Sequence, residues 1–455
     1  MPRATALAGL LPEFLPLHGI GGSKDLPIPL ALAISGAVAA LVVSFCVLSL
    51  AWRQPRYEGP RPGRPVPGVQ RVVDDPRFQW TLRILGLAFA AYLTWALIWG
   101  PDLVTNPVLG TFYVLVWVGI VPASLRLGPV VKAVSPVRTL NLLLAKVTGG
   151  DPATGLATYP ARLGYWPAAV GLFAFTWQEL VNPQSAYLSS VRLWLVAYLA
   201  IMLIGAAVFG DVWLERADPF EVYSSLLAHL SAWGRDGARL VVRSPLANLA
   251  TVTPRPGLVA VVATLFGSTA FDTYKDTLSW QRILSDVGLD NKLTNTAALL
   301  VFCLIVGVSF TVAAMSTGVE TDGPRAVRRS DLPALLAHSV IPIIVGYMTA
   351  HYLSYFIEQG QNTIIQLSDP MVRGDNLLGT ANFNVNYWLS FHPSLLASIQ
   401  VLAVVTGHIC GVIAAHDRAI SLLPKRHHVS GQIGMLVIMV AYTATGLYLL
   451  MGGAL

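Results

Sequence analysis

Four imidazoles lie inside strongly apolar runs: His338 and His351 in one, His408 and His416 in the next. An ionisable group is costly to bury among hydrocarbon, so each is a functional suspect. The first chemistry they suggest is a metal or hydrolytic site. His351 precedes Glu358 by seven residues, which puts both on one face of a helix. Asp272 ends another apolar run on the same side, and His18 precedes the first run. Imidazole and carboxylate together suit hard or borderline divalent metals, and a metal-bound water can attack a phosphoryl centre. On this reading His351, Glu358 and Asp272 are the catalytic candidates. His18, His351 and His416 are the candidate metal ligands. The plain alternative is that polar loop ends carry Asp and Asn only to make turns.

The second chemistry is haem b. His338 and His351 are 13 residues apart, about 20 Å along a helix. Their bearings around the helix differ by about 140°, so they do not offer two stacked rings to one partner helix. What remains is a single haem between His338 and His408, the candidate cofactor-binding pair. The third chemistry is proton or copper traffic along the same two helices. His416-Asp417-Arg418 reads as a solvated helix end, His427 and His428 as charge anchors beside Lys425-Arg426, and His229 as interfacial. Asp211 is expected to pair with a nearby arginine. Cys46, Cys303 and Cys410 sit in apolar runs with no CxxC, which speaks against a disulfide framework. No Walker A loop, GxSxG, HExxH or EF-hand loop occurs.

The elements that must carry these residues follow from composition. The chain has 455 residues, 54% hydrophobic and only 12% charged, against about 25% charged in soluble domains. Mean hydropathy is +0.60. So few charges cannot cover a soluble surface of this size, which excludes disorder, a coiled coil and an ordinary soluble enzyme. The formal charge of +6 is scattered over short loops rather than one face, so no nucleic-acid partner is expected. A bilayer core needs about 20 apolar residues per helix. Ten segments fit: 28–52, 79–99, 107–125, 163–181, 191–214, 256–272, 293–316, 332–357, 392–416 and 431–452, with 256–272 the weakest.

With the N-terminus outside, the inner loops of this ten-helix scheme hold 22 Lys and Arg and the outer segments 6. That alternation is the positive-inside pattern and puts both termini outside. Residues 129–147 and 218–233 read as amphipathic helices on the cytoplasmic surface, the second opened by Asp218 as N-cap and Pro219. Residues 53–77, rich in Pro and Arg, read as an extended loop. The first 18 residues have a weak signal-peptide look, interrupted by Pro12, Glu13 and Pro16. The fold class is therefore all-α, a polytopic integral membrane protein. One membrane domain spans 1–455: an outer segment 1–27, helices 1–7 over 28–316, and the histidine-bearing helices 8–10 over 332–452.

Several segments resemble bacterial polytopic membrane proteins labelled fenitrothion hydrolase. They include HGIGGSKDLPIP (18–29), SPVRTLN (135–141), ADPFEVY (217–223), STAFDTYKDT (268–277), LAHSVIPIIVGYMTAHYLSYFIEQGQ (336–361) and VTGHICGVIAAHDRAI (405–420). The resemblance runs along nearly the whole chain. It departs at SDPMVRGDN, where Met371-Val372-Arg373 and Asp375 replace the aromatic residues and glycine expected there. It implies a prokaryotic plasma-membrane protein that hydrolyses organophosphate-type esters; the resemblance names no cofactor, and the histidines and carboxylates themselves put a divalent metal ahead of haem b. The readings from other classes are a redox or transport subunit using the histidines of helices 8 and 9, and a membrane anchor. The anchor would hold a peripheral or integral protein partner. In every reading the lipid bilayer is a partner.

Overall fold

The structure is a computed structural model that describes residues 25–57, 63–317, 327–424 and 427–452. Each of the ten apolar segments is helical. We label the long elements α1 (Leu30–Ala51), α2 (Pro76–Trp99), α3 (Pro107–Val118 with Ile120–Leu127), α4 (Pro136–Thr148), α5 (Trp166–Leu180) and α6 (Leu188–Phe209). They continue with α7 (Pro219–Ala228), α8 (Leu258–Lys275), α9 (Asn291–Met315), α10 (Ile341–Gln366), α11 (Pro393–Leu422) and α12 (Ile433–Gly452). The sequence marks several of their starts. Asp75, Asn106, Ser135, Asp218 and Asp290 accept backbone N–H bonds as caps, four of them followed directly by Pro at the first helical position.

The expected ten crossings are not what the helices allow. Among the described residues, seven helices are long and apolar enough to cross a membrane, eight if bent α3 counts as one span. The two that fall short are α5 and α8. The 15 residues of α5 reach about 22 Å, less than a bilayer core of about 30 Å. The 18 residues of α8 end in Asp272 and Lys275, and most of them are buried in the protein. Such a helix is apolar because protein surrounds it, and a hydropathy reading cannot tell that from lipid. With seven or eight candidate spans, the loop-charge alternation built on ten no longer assigns a side to every loop.

A second expectation is also revised. The 218–233 segment is not a surface helix. Every residue of α7 except Ser225 is buried, against α3, α5 and α10. What lets a helix with a carboxylate enter the core is Arg138 of α4. Its Nη2 donates to Glu221 Oε1 at 2.7 Å, and its Nη1 lies 3.5 Å from Asp211 Oδ1. The arginine expected for Asp211 is thus Arg138, shared with Glu221. α4 is amphipathic as anticipated, with Val137, Thr139 and Asn141 buried and Leu144 and Val147 exposed. The Pro- and Arg-rich loop is not wholly extended. It holds strand β1 (Arg64–Pro65), which joins β2 (Trp233–Asp236) and β3 (Arg239–Val242) in an antiparallel sheet ordered β1-β3-β2, and a short helix, Pro67–Val73.

Two tight helix pairs form the frame of the bundle. α10 and α11 run antiparallel in the most extensive contact of the fold. A Cβ on Gly346 would lie 2.5 Å from the Ala403 carbonyl oxygen, and one on Gly407 would lie 2.5 Å from that of Pro342. α8 and α9 are joined the same way, since a Cβ on Gly267 would lie 2.6 Å from the Cys303 Cα. Small residues at such crossings let helix backbones approach closely.

Candidate functional site

The ionisable groups converge where α8, α10, α5 and α3 meet. Asp272 is the hub, with its side chain 1% exposed. Its Oδ2 accepts from His351 Nε2 at 2.9 Å and from Tyr352 Oη at 2.6 Å. Its Oδ1 lies 3.1 Å from Lys275 Nζ, one helical turn further along α8. An ionised carboxylate only accepts hydrogen bonds, so His351 Nε2 carries a proton. The other ring nitrogen, Nδ1, is 3.3 Å from Thr273 Oγ1, which is itself 3.1 Å from Tyr347 Oη. A hydroxyl both donates and accepts. Thr273 Oγ1 also donates to the Thr269 carbonyl at 3.0 Å, so it accepts from a protonated Nδ1 and can serve a bare one only by turning its hydroxyl away from that carbonyl, while His351 keeps Asp272 as partner through Nε2 in either case.

Beside the hub is a cavity of about 290 Å³. Its wall includes Asp272 and Lys275 of α8, Glu179 of α5, Tyr113 of α3, and Tyr355 and Gln359 of α10. Glu179 Oε2 is buried and has no hydrogen-bond partner. Tyr113 sits in an eight-residue π-helical stretch, Thr111–Val118, after which α3 bends by 46°. Wide turns of this kind cluster at functional sites. Gly110, just before it, packs on Thr363 of α10 so closely that a Cβ would lie 2.2 Å from its hydroxyl oxygen.

Of the residues singled out by sequence, Asp272 and His351 meet as a hydrogen-bonded pair. Glu358, two turns beyond His351, instead accepts from Ser390 Oγ in the loop before α11. His18 lies outside the described residues. His416 belongs to the opposite end of α11. Its Nε2 bonds the Trp52 carbonyl at 3.0 Å and its Nδ1 faces Gln432 Oε1 at 3.1 Å. Gln400, which donates to the Ala350 carbonyl beside His351, is 16 residues from His416, about 24 Å of helix. One metal cannot bind both histidines. Among the described residues, no three His, Cys, Asp or Glu side chains form a metal-holding group.

His338 and His408 do not form a haem pair. Each ring uses Nδ1 on its own helix backbone, at the carbonyls of Leu335 and Val404. Between these positions α10 and α11 are in contact at Gly346 and Gly407, and Gly411 meets the Ser339 carbonyl. A macrocycle held between the two histidines does not fit that packing. Sequence reasoning missed Glu179 and Lys275. The signal was present for Glu179, a carboxylate inside the apolar run 163–181. Lys275 was lost because that helix was expected to end at 272.

Comparison with protein-family models, curated proteins and solved structures found no match for this chain. What the fold and the site define is a class: a helical, multi-pass membrane protein with a polar, ion-paired pocket near one end of its bundle.

Proposed function

We propose that this chain works as a proton relay at a membrane pocket, coupling protonation of the Asp272–His351 pair to a small polar solute in the adjoining cavity. The observation that carries the reading is the continuity of the network. Lys275, Asp272, His351, Thr273 and Tyr347 are linked in one run of contacts, and His351 is hydrogen-bonded whether or not Nδ1 holds a proton. Intramembrane carboxylate and imidazole chains are the usual hardware of proton movement. Of the readings drawn from sequence, this is the transport alternative, placed on α8 and α10 instead of α10 and α11.

Sidedness is part of the proposal. Trp52, Asp417, Arg138 and the sheet arginines belong to the end of the bundle opposite the pocket. The positive-inside rule favours that end as cytoplasmic and the pocket as outward-facing, in a prokaryotic plasma membrane. Residues 30 and 452 then fall on the outer side. The test is reconstitution in liposomes loaded with a pH-sensitive dye, under a potassium-valinomycin potential. Wild type is expected to acidify the lumen faster than protein-free liposomes, and Asp272→Asn to return the rate to background. Equal rates for wild type and empty liposomes would overturn the proposal.

One observation favours a second reading, organophosphate-ester hydrolysis as in the fenitrothion-hydrolase-like proteins the sequence resembles. The His351–Asp272 bond of 2.9 Å is the orientation a general base needs. Steady-state turnover of fenitrothion by the purified chain, lost in His351→Gln, would support it. The absence of turnover in wild type would end it.

A further inference from the structure

We propose that the pocket recognises a small organic cation through Glu179, and that the cation and a proton compete for this carboxylate. The inference deepens the proton-relay reading and rests on it in taking this cavity as the working site.

Lys275 is committed to Asp272 at 3.1 Å, and Asp276 acts on Lys275 as a further carboxylate. Glu179 lines the same cavity, yet its Oε2 is buried and accepts no hydrogen bond. A carboxylate in that position holds either a proton or a cation. The groups facing it from the packed elements are Asp272 and Lys275 of α8, Tyr223 of α7, Tyr352 and Tyr355 of α10 and, through Tyr355, Tyr113 of α3, while His351 stands behind Asp272. Only Lys275 among them is a standing cation, and it is already shared.

The remaining wall suits an ammonium group. Tyr113 and Tyr355 line it, and aromatic rings attract cations. Gln359, Asn362 and Ser185 offer oxygen acceptors for N–H or O–H groups. A volume of about 290 Å³ is at the small end of ligand sites, so the solute is a compact amine and not a drug-sized cation. The exchange balances simply. The protonated Glu179 carboxyl gives its proton to water as the cation arrives, and takes one back when the cation leaves.

The experiment uses the full chain in lipid nanodiscs, with ethanolammonium and choline as probes. Their neutral isosteres, ethylene glycol and 3,3-dimethylbutan-1-ol, are the controls. Calorimetric binding is expected for a cation and not for its isostere, with about one proton released per cation in weakly buffered solution. Glu179→Gln keeps the side chain's shape and removes its charge. It is expected to weaken cation binding at least tenfold and abolish proton release, with an unliganded melting temperature no lower than wild type. Cations that bind no better than their isosteres overturn the inference, as do cations that bind Glu179→Gln as well as wild type. If wild type still carries the proton current but binds no cation, this inference alone falls. If the current is absent while cations bind through Glu179 with proton release, the relay falls and cation recognition stands.

Discussion

Replacing Asp272 by Asn keeps the shape of the hub and deletes its charge, which makes it the sharpest probe of the site. Three donors converge on this carboxylate: Lys275 Nζ at 3.1 Å, His351 Nε2 at 2.9 Å and Tyr352 Oη at 2.6 Å. A hydrogen bond to a charged group contributes about 1.5–3 kcal/mol. Breaking a buried ion pair by removing one partner costs about 3–5 kcal/mol, because the other charge is stranded. Asn still offers one carbonyl oxygen, enough for Tyr352 or His351, but its amide nitrogen then faces the Lys275 ammonium, donor against donor. Lys275 is 22% exposed and recovers some hydration. The net loss should therefore fall near the lower end, about 2–4 kcal/mol. Asp272→Ala should lose more, since position 272 then offers no acceptor to any of the three donors. Reversible unfolding in mixed micelles, followed by tryptophan fluorescence, measures this. Pairing Asp272→Asn with Lys275→Met should recover part of the loss, with a coupling of about 0.5–3 kcal/mol. A change under about 0.5 kcal/mol for Asp272→Asn, or strict additivity in the pair, would refute the account of a charged hub.

Two further outcomes follow from contacts elsewhere. Gly407→Ala puts a Cβ 2.5 Å from the Pro342 carbonyl oxygen, so the α10–α11 contact must open, at about 1–3 kcal/mol. An unchanged thermal midpoint would show that the pair is not locked there. The Asp74 carboxyl is held below the usual carboxylate range by its hydrogen bond from Arg235. Its stabilising effect is therefore fully present above the unfolded value of about 3.9 and is lost as pH falls through the lower folded value. The melting difference between wild type and Asp74→Asn should shrink toward about pH 3 and also in 1 M salt. A difference that grows on acidification would contradict the assignment.

The helices themselves were legible. All ten apolar runs are helical, and caps such as Asp218 with Pro219 start where the sequence marks them. What was not legible is whether an apolar face meets lipid or protein. α5 and α8 read as crossings because hydropathy does not distinguish the two solvents. α7 read as interfacial because its buried Glu221 is neutralised by Arg138, 83 residues away. The site shows the same division. Asp272 and His351 each stood out as ionisable groups at apolar runs, but the pair joins residues 79 apart and is created by the crossing of α8 and α10. Glu179 carries the same signal, a carboxylate inside the apolar run 163–181. His338 carried it too, yet its ring bonds its own helix backbone, which is what most buried imidazoles do.

That crossing also says where motion belongs if protons pass through the site. Asp272 and His351 stand on two different locked pairs. Gly267 fixes α8 against α9, while Gly346 and Gly407 fix α10 against α11. Close backbone packing leaves each pair little freedom to slide internally. The bond between Asp272 and His351 is thus a contact between two stiff units, and its length reports how those units sit. The cavity lies along the same seam and is closed on another side by the bent, π-helical α3, the least regular helix of the bundle. A solute entering there meets Glu179 and Lys275 before it meets His351, whose side chain is fully buried. Occupancy of the cavity and the spacing of the Asp272–His351 pair are therefore set by one interface. That is the physical condition for the binding of a solute and the movement of a proton to influence each other.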